Sequence, residues 1–226
     1  MFSIIAPAYN EEEVIADFVH SVMRELSGAR FELVVVNDGS TDATGTILKQ
    51  LQRVYANLAV VEHESNRGLG AGLISGFKTA KGDVIVTMDA DLSHDPSYII
   101  PMIKKVRLGY DIVIASRYVT GGGMEGVPAR RQWISRLANA FIRRTAGWKV
   151  RDASSGFRAY RAGLVKNLKN LDAGFSIQVE ILRELLKQSA RVYEQPFILR
   201  NRRAGRSKMK YINLIPGYAK LLLSLR

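Results

Sequence analysis

A mixed, mostly parallel α/β sheet flanked by helices on both faces is the fold this sequence predicts, and three observations carry it. Short apolar runs at residues 2–6, 31–36, 58–62, 84–88 and 111–115 alternate with stretches of helical periodicity, the pattern of consecutive strand–helix units. The run at 31–36 is nearly continuous instead of alternating, as expected of a strand covered on both faces. Acidic residues recur just past the runs, at Asp38, Asp89 and Asp91, and α/β sheets gather their ligands at strand C-terminal ends. The chain has 226 residues, 47% of them hydrophobic, enough to bury one full core.

The first strand leads into a polar turn at residues 7–13. Val14, Phe18, Val22 and Leu26 then recur at three- and four-residue spacing beside Ile15 and Val19, with Asp17, Arg24 and Glu25 on the other face, which predicts a helix. Glu12 and Glu13 read as acids favoured by that helix's N-terminal dipole. The second strand is broken at residues 37–42, where Ser40 or Thr41 suits the N-cap of a helix carrying Ile47, Leu48 and Leu51. Asp38 is left at the strand edge, either as a turn residue or as an acceptor for a nucleotide's ribose or base. After the third strand, Gly68, Gly70 and Gly72 open a helix through Leu73, Phe77 and Ala80. The third glycine of a dinucleotide fingerprint would fall at Leu73, and the cluster follows the third strand, not the first. These glycines therefore read as close helix–sheet packing.

The fourth strand ends in Asp89-Ala90-Asp91. Two carboxylates this close at a buried strand end repel each other unless a cation lies between them. Mg2+ or Mn2+ suits the pair, because these ions take one or two carboxylates together with substrate phosphate oxygens. Asp95 followed by Pro96 reads as a structural helix cap, for a helix over residues 98–108, and a strand over 111–115 follows.

Beyond this point the charge changes sign. Residues 1–100 carry 7 Lys+Arg against 14 Asp+Glu, net −7, and residues 101–226 carry 26 against 7, net +19. A basic half of this strength suits phosphates, an anionic membrane surface or nucleic acid. Residues 116–123 read as a flexible connection. Residues 130–144 form a helix with Arg136, Arg143 and Arg144 set near Trp133, Ile134, Leu137 and Phe141, fitted either to lipid headgroups or to solvent. A polar loop at 152–160, a helix over 178–186, a strand over 192–199 and a basic loop at 202–208 follow. In that last loop serine, glycine, arginine and lysine can gather around a phosphate. Residues 211–226 are apolar but interrupted by Pro216, Gly217 and Lys220, too short and broken to span a bilayer yet suited to lie on one. There is no cysteine, which excludes disulfides and thiolate metal sites and fits a reducing compartment. No basic leader with a long apolar run opens the sequence, so no secretory signal is expected.

Assembled, these stretches resemble the family-2 glycosyltransferases of GT-A fold, and among them the dolichol-phosphate mannose synthases. The general likeness lies in residues 7–11, 36–42, 66–68 and 89–91. The narrower likeness lies in 116–119 with the glycines that follow, Arg131 through Ser135 to Asn139, 152–160, and 202–208. The resemblance implies inverting transfer of mannose from GDP-mannose to a dolichyl or other polyprenyl phosphate. It implies nucleotide-sugar contacts from Pro7, Tyr9, Glu11, Val36, Asp38, Asp89, Ala90, Arg202 and Lys208, and a metal on Asp89 and Asp91 with Ser93 as a third candidate ligand. It assigns the acceptor phosphate to Arg117, Arg131 and Ser135, and makes Asp91, Arg117 and Arg131 the catalytic set. On this reading residues 1–210 are one GT-A domain, with a donor half at 1–115, an acceptor half at 116–210 and an apolar tail at 211–226. The expected setting is the cytoplasmic face of a membrane, reached peripherally through an anionic surface or a membrane-anchoring partner subunit.

Three rivals are distinguishable. A polyprenyl-phosphate glucosyl or other glycosyl synthase would use a UDP-sugar in the same site. A nucleic-acid-binding protein would explain the basic half but leaves the Asp89–Asp91 strand end without a purpose, so no nucleic-acid partner is expected. A catalytically silent subunit would bind the donor without turnover.

Overall fold

The computed structural model describes residues 1–168, 171 and 176–201. In chain order the elements are β1 (Phe2–Ala8), α1 (Ile15–Glu25), β2 (Phe31–Asn37), α2 (Thr44–Val54), β3 (Leu58–Glu62), α3 (Leu69–Thr79) and β4 (Val84–Thr87). A short 3-10 turn at Pro96–Tyr98 precedes α4 (Ile99–Arg107), β5 (Ile112–Ser116), β6 (Gly123–Glu125) and α5 (Ala129–Ala146). Then come β7 (Arg158–Arg161), α6 (Ala162–Lys166), α7 (Ile177–Lys187), β8 (Val192–Pro196) and β9 (Ile198–Arg200).

Seven strands form one sheet in the order β3-β2-β1-β4-β7-β5-β8, and β6 pairs with β9 in a small second sheet. All neighbours in the large sheet are parallel except β7, which runs antiparallel to both β4 and β5. Side chains alternate across the sheet, so adjacent residues serve opposite cores. Ile4, Leu33, Val35 and Val86 pack with Phe18, Val22 and Met102 under α1, α2 and α4. Ile5, Val34, Val36 and Ile85 pack with Leu73, Phe77, Ile181 and Leu182 under α3 and α7.

The glycines of α3 do pack closely. A methyl on Gly76 would lie 2.3 Å from Ile5 Cγ2, and one on Gly72 would lie 3.0 Å from Pro7 Cβ. Asp95 is the cap expected, its carboxylate accepting from Ser97 N at 3.0 Å.

Five expectations change. Residues 158–160, read as part of a loop, belong to the antiparallel strand β7, which lies between β4 and β5, and no local pattern announced it because Arg158 occupies an inward position with no exposure. The run at 192–199 is two strands broken at Phe197, and the connection at 116–123 ends in β6. Glu12 serves α2 instead of its own helix, its carboxylate accepting from Ala43 N at 2.8 Å. Asp42, and not Ser40 or Thr41, accepts from the first-turn amide of α2, Thr44 N, at 3.0 Å. Ser40 and Thr41 instead clasp Asn10: Ser40 Oγ accepts from Asn10 N, and Asn10 Oδ1 accepts from Thr41 N at 2.7 Å.

Candidate active site

The chain winds outward from β1 to β2 and β3, then returns to add β4 on the other side of β1. A reversal of this kind opens a crevice at the strand C-terminal ends, the place where open α/β sheets bind ligands. Pro7 and Val36 face each other in the β1–β2 register, and Tyr9, Glu11 and Asp38 follow on the same edge. Asp89 and Asp91 follow β4, and Arg117 follows β5. Because β7 is antiparallel, the loop before it arrives at that edge too: Arg158 is registered with both Thr87 and Ile114, and Thr87 Oγ1 donates to the Gly156 carbonyl at 2.8 Å.

On the wall formed at the ends of β1, β2 and β4, Asp38 is buried and held from three directions. Its carboxylate accepts from Arg67 N at 3.0 Å and Gly68 N at 2.8 Å, and bonds His63 Nδ1 at 2.6 Å. His63 Nε2 in turn meets Ser75 Oγ at 2.9 Å on α3. A carboxylate offers about four lone-pair directions, so three partners leave one for a ligand while locking the group in place. The turn at 66–68 is thus built on Asp38, a dependence that the sequence spacing did not suggest.

The paired acids are unlike each other. Asp91 is buried, and its Oδ1 accepts from Ser93 N at 3.0 Å and from Ser93 Oγ at 2.6 Å. Ser93 gives its hydroxyl proton to Asp91 and so enters the site through that carboxylate. The side chain of Asp89 is 44% exposed, and Gly156 leaves room beside it, where an added methyl would meet Asp89 Oδ1 at 3.4 Å. Leu92, between the two serine–aspartate partners, has φ +64°, a backbone conformation that costs a residue with a Cβ of order 1–3 kcal/mol. His94 holds the same loop from below. Its Nδ1 accepts from Asp89 N at 2.9 Å, and its ring stacks on Phe157 at 5.0 Å and meets Phe197 edge-on at 5.6 Å. His94 is a buried support for the Asp89 backbone.

Among the described residues no three Asp, Glu, His or Cys side chains converge as a metal cage. The donor set that exists, one exposed and one oriented carboxylate at a strand end, fits a hard divalent ion that completes its shell with water and substrate phosphates.

On the wall that follows β5, Arg117 is fixed by protein side chains. Its Nε and Nη2 donate to the two oxygens of Asp152 at 2.8 and 2.7 Å, and Nη2 also reaches Ser154 Oγ at 2.9 Å. Burial alone would lower the arginine's pKa, but Asp152 and, more weakly, Asp89 raise it above the ordinary value. The group is a permanent cation close enough to feel Asp89. Asp152 has no exposure and its amide donates to Glu194 at 2.9 Å. Asn139 of α5 exchanges two bonds with Ser154, donating to its Oγ at 2.8 Å and accepting from its amide at 3.1 Å. Tyr118 OH donates to Ser135 Oγ at 2.6 Å. Ser135 is thereby joined to the Arg117 loop, while Arg131 stands one helical turn earlier on α5. Arg202 and Lys208 lie outside the described residues.

Beneath this wall Arg158, fully buried, donates to three backbone carbonyls: Ser155 at 2.7 Å, Ala153 at 2.6 Å and Gln178 at 2.6 Å. It knits the 153–157 loop to the start of α7. Asp152, Asn139 and Arg158 stood within the motifs of the resemblance and Ser154 did not, and the supporting roles of all four needed the pairing of distant segments.

An α/β sheet whose crevice carries paired carboxylates on one wall and a fixed arginine on the other has the groups for handling phosphate-linked donors. The family model "Glycosyl transferase family 2" matches residues 3–169, and the chain belongs to that family. It is 39% identical over 211 residues to a dolichol-phosphate mannosyltransferase of Pyrococcus furiosus, covering 92% of this chain and 59% of that protein. It is 33% identical over 221 residues to a polyprenol monophosphomannose synthase of Mycolicibacterium smegmatis, covering 93% of this chain and 82% of that protein. The chain thus spans under two thirds of the archaeal relative and most of the mycobacterial one. Among solved structures, glucosyl-3-phosphoglycerate synthase of Mycobacterium tuberculosis with Mn2+, UDP and its product superposes with a TM-score of 0.70 at 21% identity, covering all of this chain and 78% of that one. The same enzyme with Mg2+ and UDP gives a TM-score of 0.68 at 20% identity over 77% of its chain. These likenesses establish the GT-A fold.

Proposed function

We propose that this glycosyltransferase moves mannose from GDP-mannose to a polyprenyl phosphate, inverting the sugar carbon, with Mg2+ or Mn2+ at Asp89 and Asp91. The observation that carries the reading is the pairing of an open carboxylate site at β4 with an arginine pre-fixed by Asp152 on the facing wall. The printed functions of the two relatives supply the substrate classes.

On this reading Pro7, Tyr9, Glu11, Val36 and Asp38 line the nucleotide's edge of the crevice, with the remaining acceptor direction of Asp38 turned to the ribose or base. When bound, the metal neutralises charge on the departing diphosphate. Asp89 reaches it from the crevice, Ala90 contributes backbone to the donor site, and Asp91 is kept in orientation by Ser93. Arg202 and Lys208 are assigned to the donor phosphates from the sequence motif. Arg117, Arg131 and Ser135 receive the acceptor phosphate. An acceptor phosphate oxygen forms the new bond to the sugar carbon from one face while the bond to the diphosphate oxygen breaks on the other, so the electron pair leaves with the nucleotide. A phosphate monoester has its second pKa at about 6, so the acceptor is a nucleophile near neutral pH and no protein base is required. What the chain supplies is position and charge.

For membrane access, α5 exposes Trp133, Ile134, Leu137 and Phe141, and among the described residues no helix is long and apolar enough to cross a bilayer. We assign peripheral attachment at the cytoplasmic face, through an anionic surface or an anchoring subunit.

The test is transfer of radiolabelled sugar from GDP-mannose and, in parallel, UDP-glucose to a short polyprenyl phosphate with either metal, comparing wild type with Asp91→Ala. Metal-dependent mannolipid that disappears in the variant is the expected result. Glucolipid alone would replace the donor. Donor binding without any lipid product would overturn the transferase assignment in favour of a silent subunit.

A further inference from the structure

Beside Arg117 a cavity of about 380 Å3 opens between the 117–122 loop and α5, lined by Arg117, Tyr118, Arg136, Asn139, Arg143 and Arg151 among others. A volume of this size falls in the range of small-ligand sites. Its charge is one-sided. Asp152 neutralises Arg117, and both Glu194 oxygens are taken by the amides of Arg151 and Asp152. Among the described residues no carboxylate lies within ion-pair distance of the side chains of Arg136, Arg143 or Arg151. Three uncompensated guanidinium groups around one concavity call for a multiply coordinated anion, and planar guanidinium forks match phosphate oxygens.

Position on the helix indicates where that anion comes from. At about 100° per residue, Trp133, Leu137, Phe141 and Ile134 share one face of α5, 64%, 64%, 54% and 41% exposed. Asn139 and Ile142, both buried, turn to the body of the protein, with Ser135 between them. Arg136 and Arg143 stand on the flank between these two faces, two helical turns apart. Arg131 stands on the opposite flank. If the apolar face meets the hydrocarbon boundary, the Arg136–Arg143 flank lies at headgroup depth, where long cationic side chains are best accommodated.

We infer that this arginine-lined cavity is a binding site for the phosphate of an anionic membrane phospholipid, bordering the acceptor-phosphate set of Arg117, Arg131 and Ser135 at Arg117 and lying on the other flank of α5 from Arg131. It rests on the membrane-facing reading of α5 and adds to it a specific headgroup subsite. Its consequence is orientation: a headgroup seated between α5 and the loop that carries Arg117 fixes how the crevice meets the bilayer.

The experiment compares the full chain, the triple variant R136Q/R143Q/R151Q and the equal-charge control R130Q/R144Q/K149Q, whose three positions are exposed and outside the cavity. Co-sedimentation is measured with phosphatidylcholine vesicles carrying phosphatidylglycerol, and with vesicles given the same surface charge by a fatty acid. On phosphatidylglycerol the cavity variant should bind about tenfold more weakly than the control variant, the loss expected when charge-assisted phosphate contacts go beyond general attraction. On fatty-acid vesicles the two variants should behave alike. Mannose transfer to detergent-solubilised acceptor should stay within about twofold of wild type for both, the scale of an exposed charge change. Equal loss by the two variants on phosphatidylglycerol, with wild type bound, would overturn the subsite and leave membrane attachment standing. Failure of wild type to bind either vesicle would overturn the membrane reading itself. A raised KM for the solubilised acceptor in the cavity variant would reassign the cavity to the acceptor phosphate. Saturation by glycerol 1-phosphate in calorimetry, as tight as vesicle binding and lost in the cavity variant, would assign it to a soluble phosphate.

Discussion

The two walls of the crevice are built by different means. The wall assigned to the donor comes from the C-terminal ends of β1, β2 and β4, and its acidic groups are held largely by backbone amides: Asp38 by those of Arg67 and Gly68 together with the His63 side chain, Asp91 by the amide and hydroxyl of Ser93. The wall assigned to the acceptor comes from a loop, an antiparallel strand and α5, and its polar groups are held mostly by partners from other segments: Arg117 by Asp152, Ser135 by Tyr118, and Arg158 by the carbonyls of Ala153, Ser155 and the more distant Gln178. Strand register places the first wall. A polar network places the second, and networks fail as units. Damage on the donor wall should therefore remain chemical and local, whereas damage on the acceptor wall should spread into geometry or folding.

The largest test of that contrast is Asp91→Ala, expected to lower metal-dependent turnover at least about a hundredfold, the scale of losing one aimed electrostatic contact. Its urea unfolding midpoint should move little, and a collapse of stability would erase the distinction between the walls. Arg158→Ala should do the reverse. It orphans three buried carbonyls at about 1–3 kcal/mol each, so chemical denaturation should report a loss of at least about 3 kcal/mol. A near-native midpoint would show that the loop does not depend on the arginine.

Asp152→Asn sharpens the comparison at smaller scale. It keeps the shape but releases Arg117, and misplacement of a positioning group costs up to about a hundredfold. The acceptor KM should rise about tenfold or more while donor affinity, measured by calorimetry, stays level. A matching fall in donor affinity would mean that the walls are coupled. On the donor side, His63→Ala removes the bond to Asp38 and should weaken donor binding about tenfold, leaving the acceptor KM unchanged.

The smallest effect is in alkali. Burial raises the phenol pKa of Tyr160 and of Tyr118 above the ordinary value of 10.0. The unfolded chain ionises at the ordinary value, so stability is unaffected below it and falls as pH rises through it toward the folded values. Tyr160→Phe should shallow that decline in a pH series of thermal unfolding, and an unchanged slope would remove Tyr160 as its source.

What the sequence by itself determined was the part governed by local periodicity and strand ends. The parallel strands β1 to β5, the helices between them and the placement of Asp38, Asp89 and Asp91 on one edge all follow from patterns within a few residues, because burial on both faces demands continuous apolar runs. What only the tertiary structure decided was every relation between segments remote in the chain. The strand β7 was hidden because its inward Arg158 is solvated by carbonyls that no local pattern announces. Glu12 caps a helix about thirty residues away, a pairing set by the β1–β2 register. The bond of Asp152 to Arg117 exists because an antiparallel strand returns its loop to the edge where the parallel strands end. Spacing along a chain encodes which face a side chain takes, and packing alone decides what it meets there.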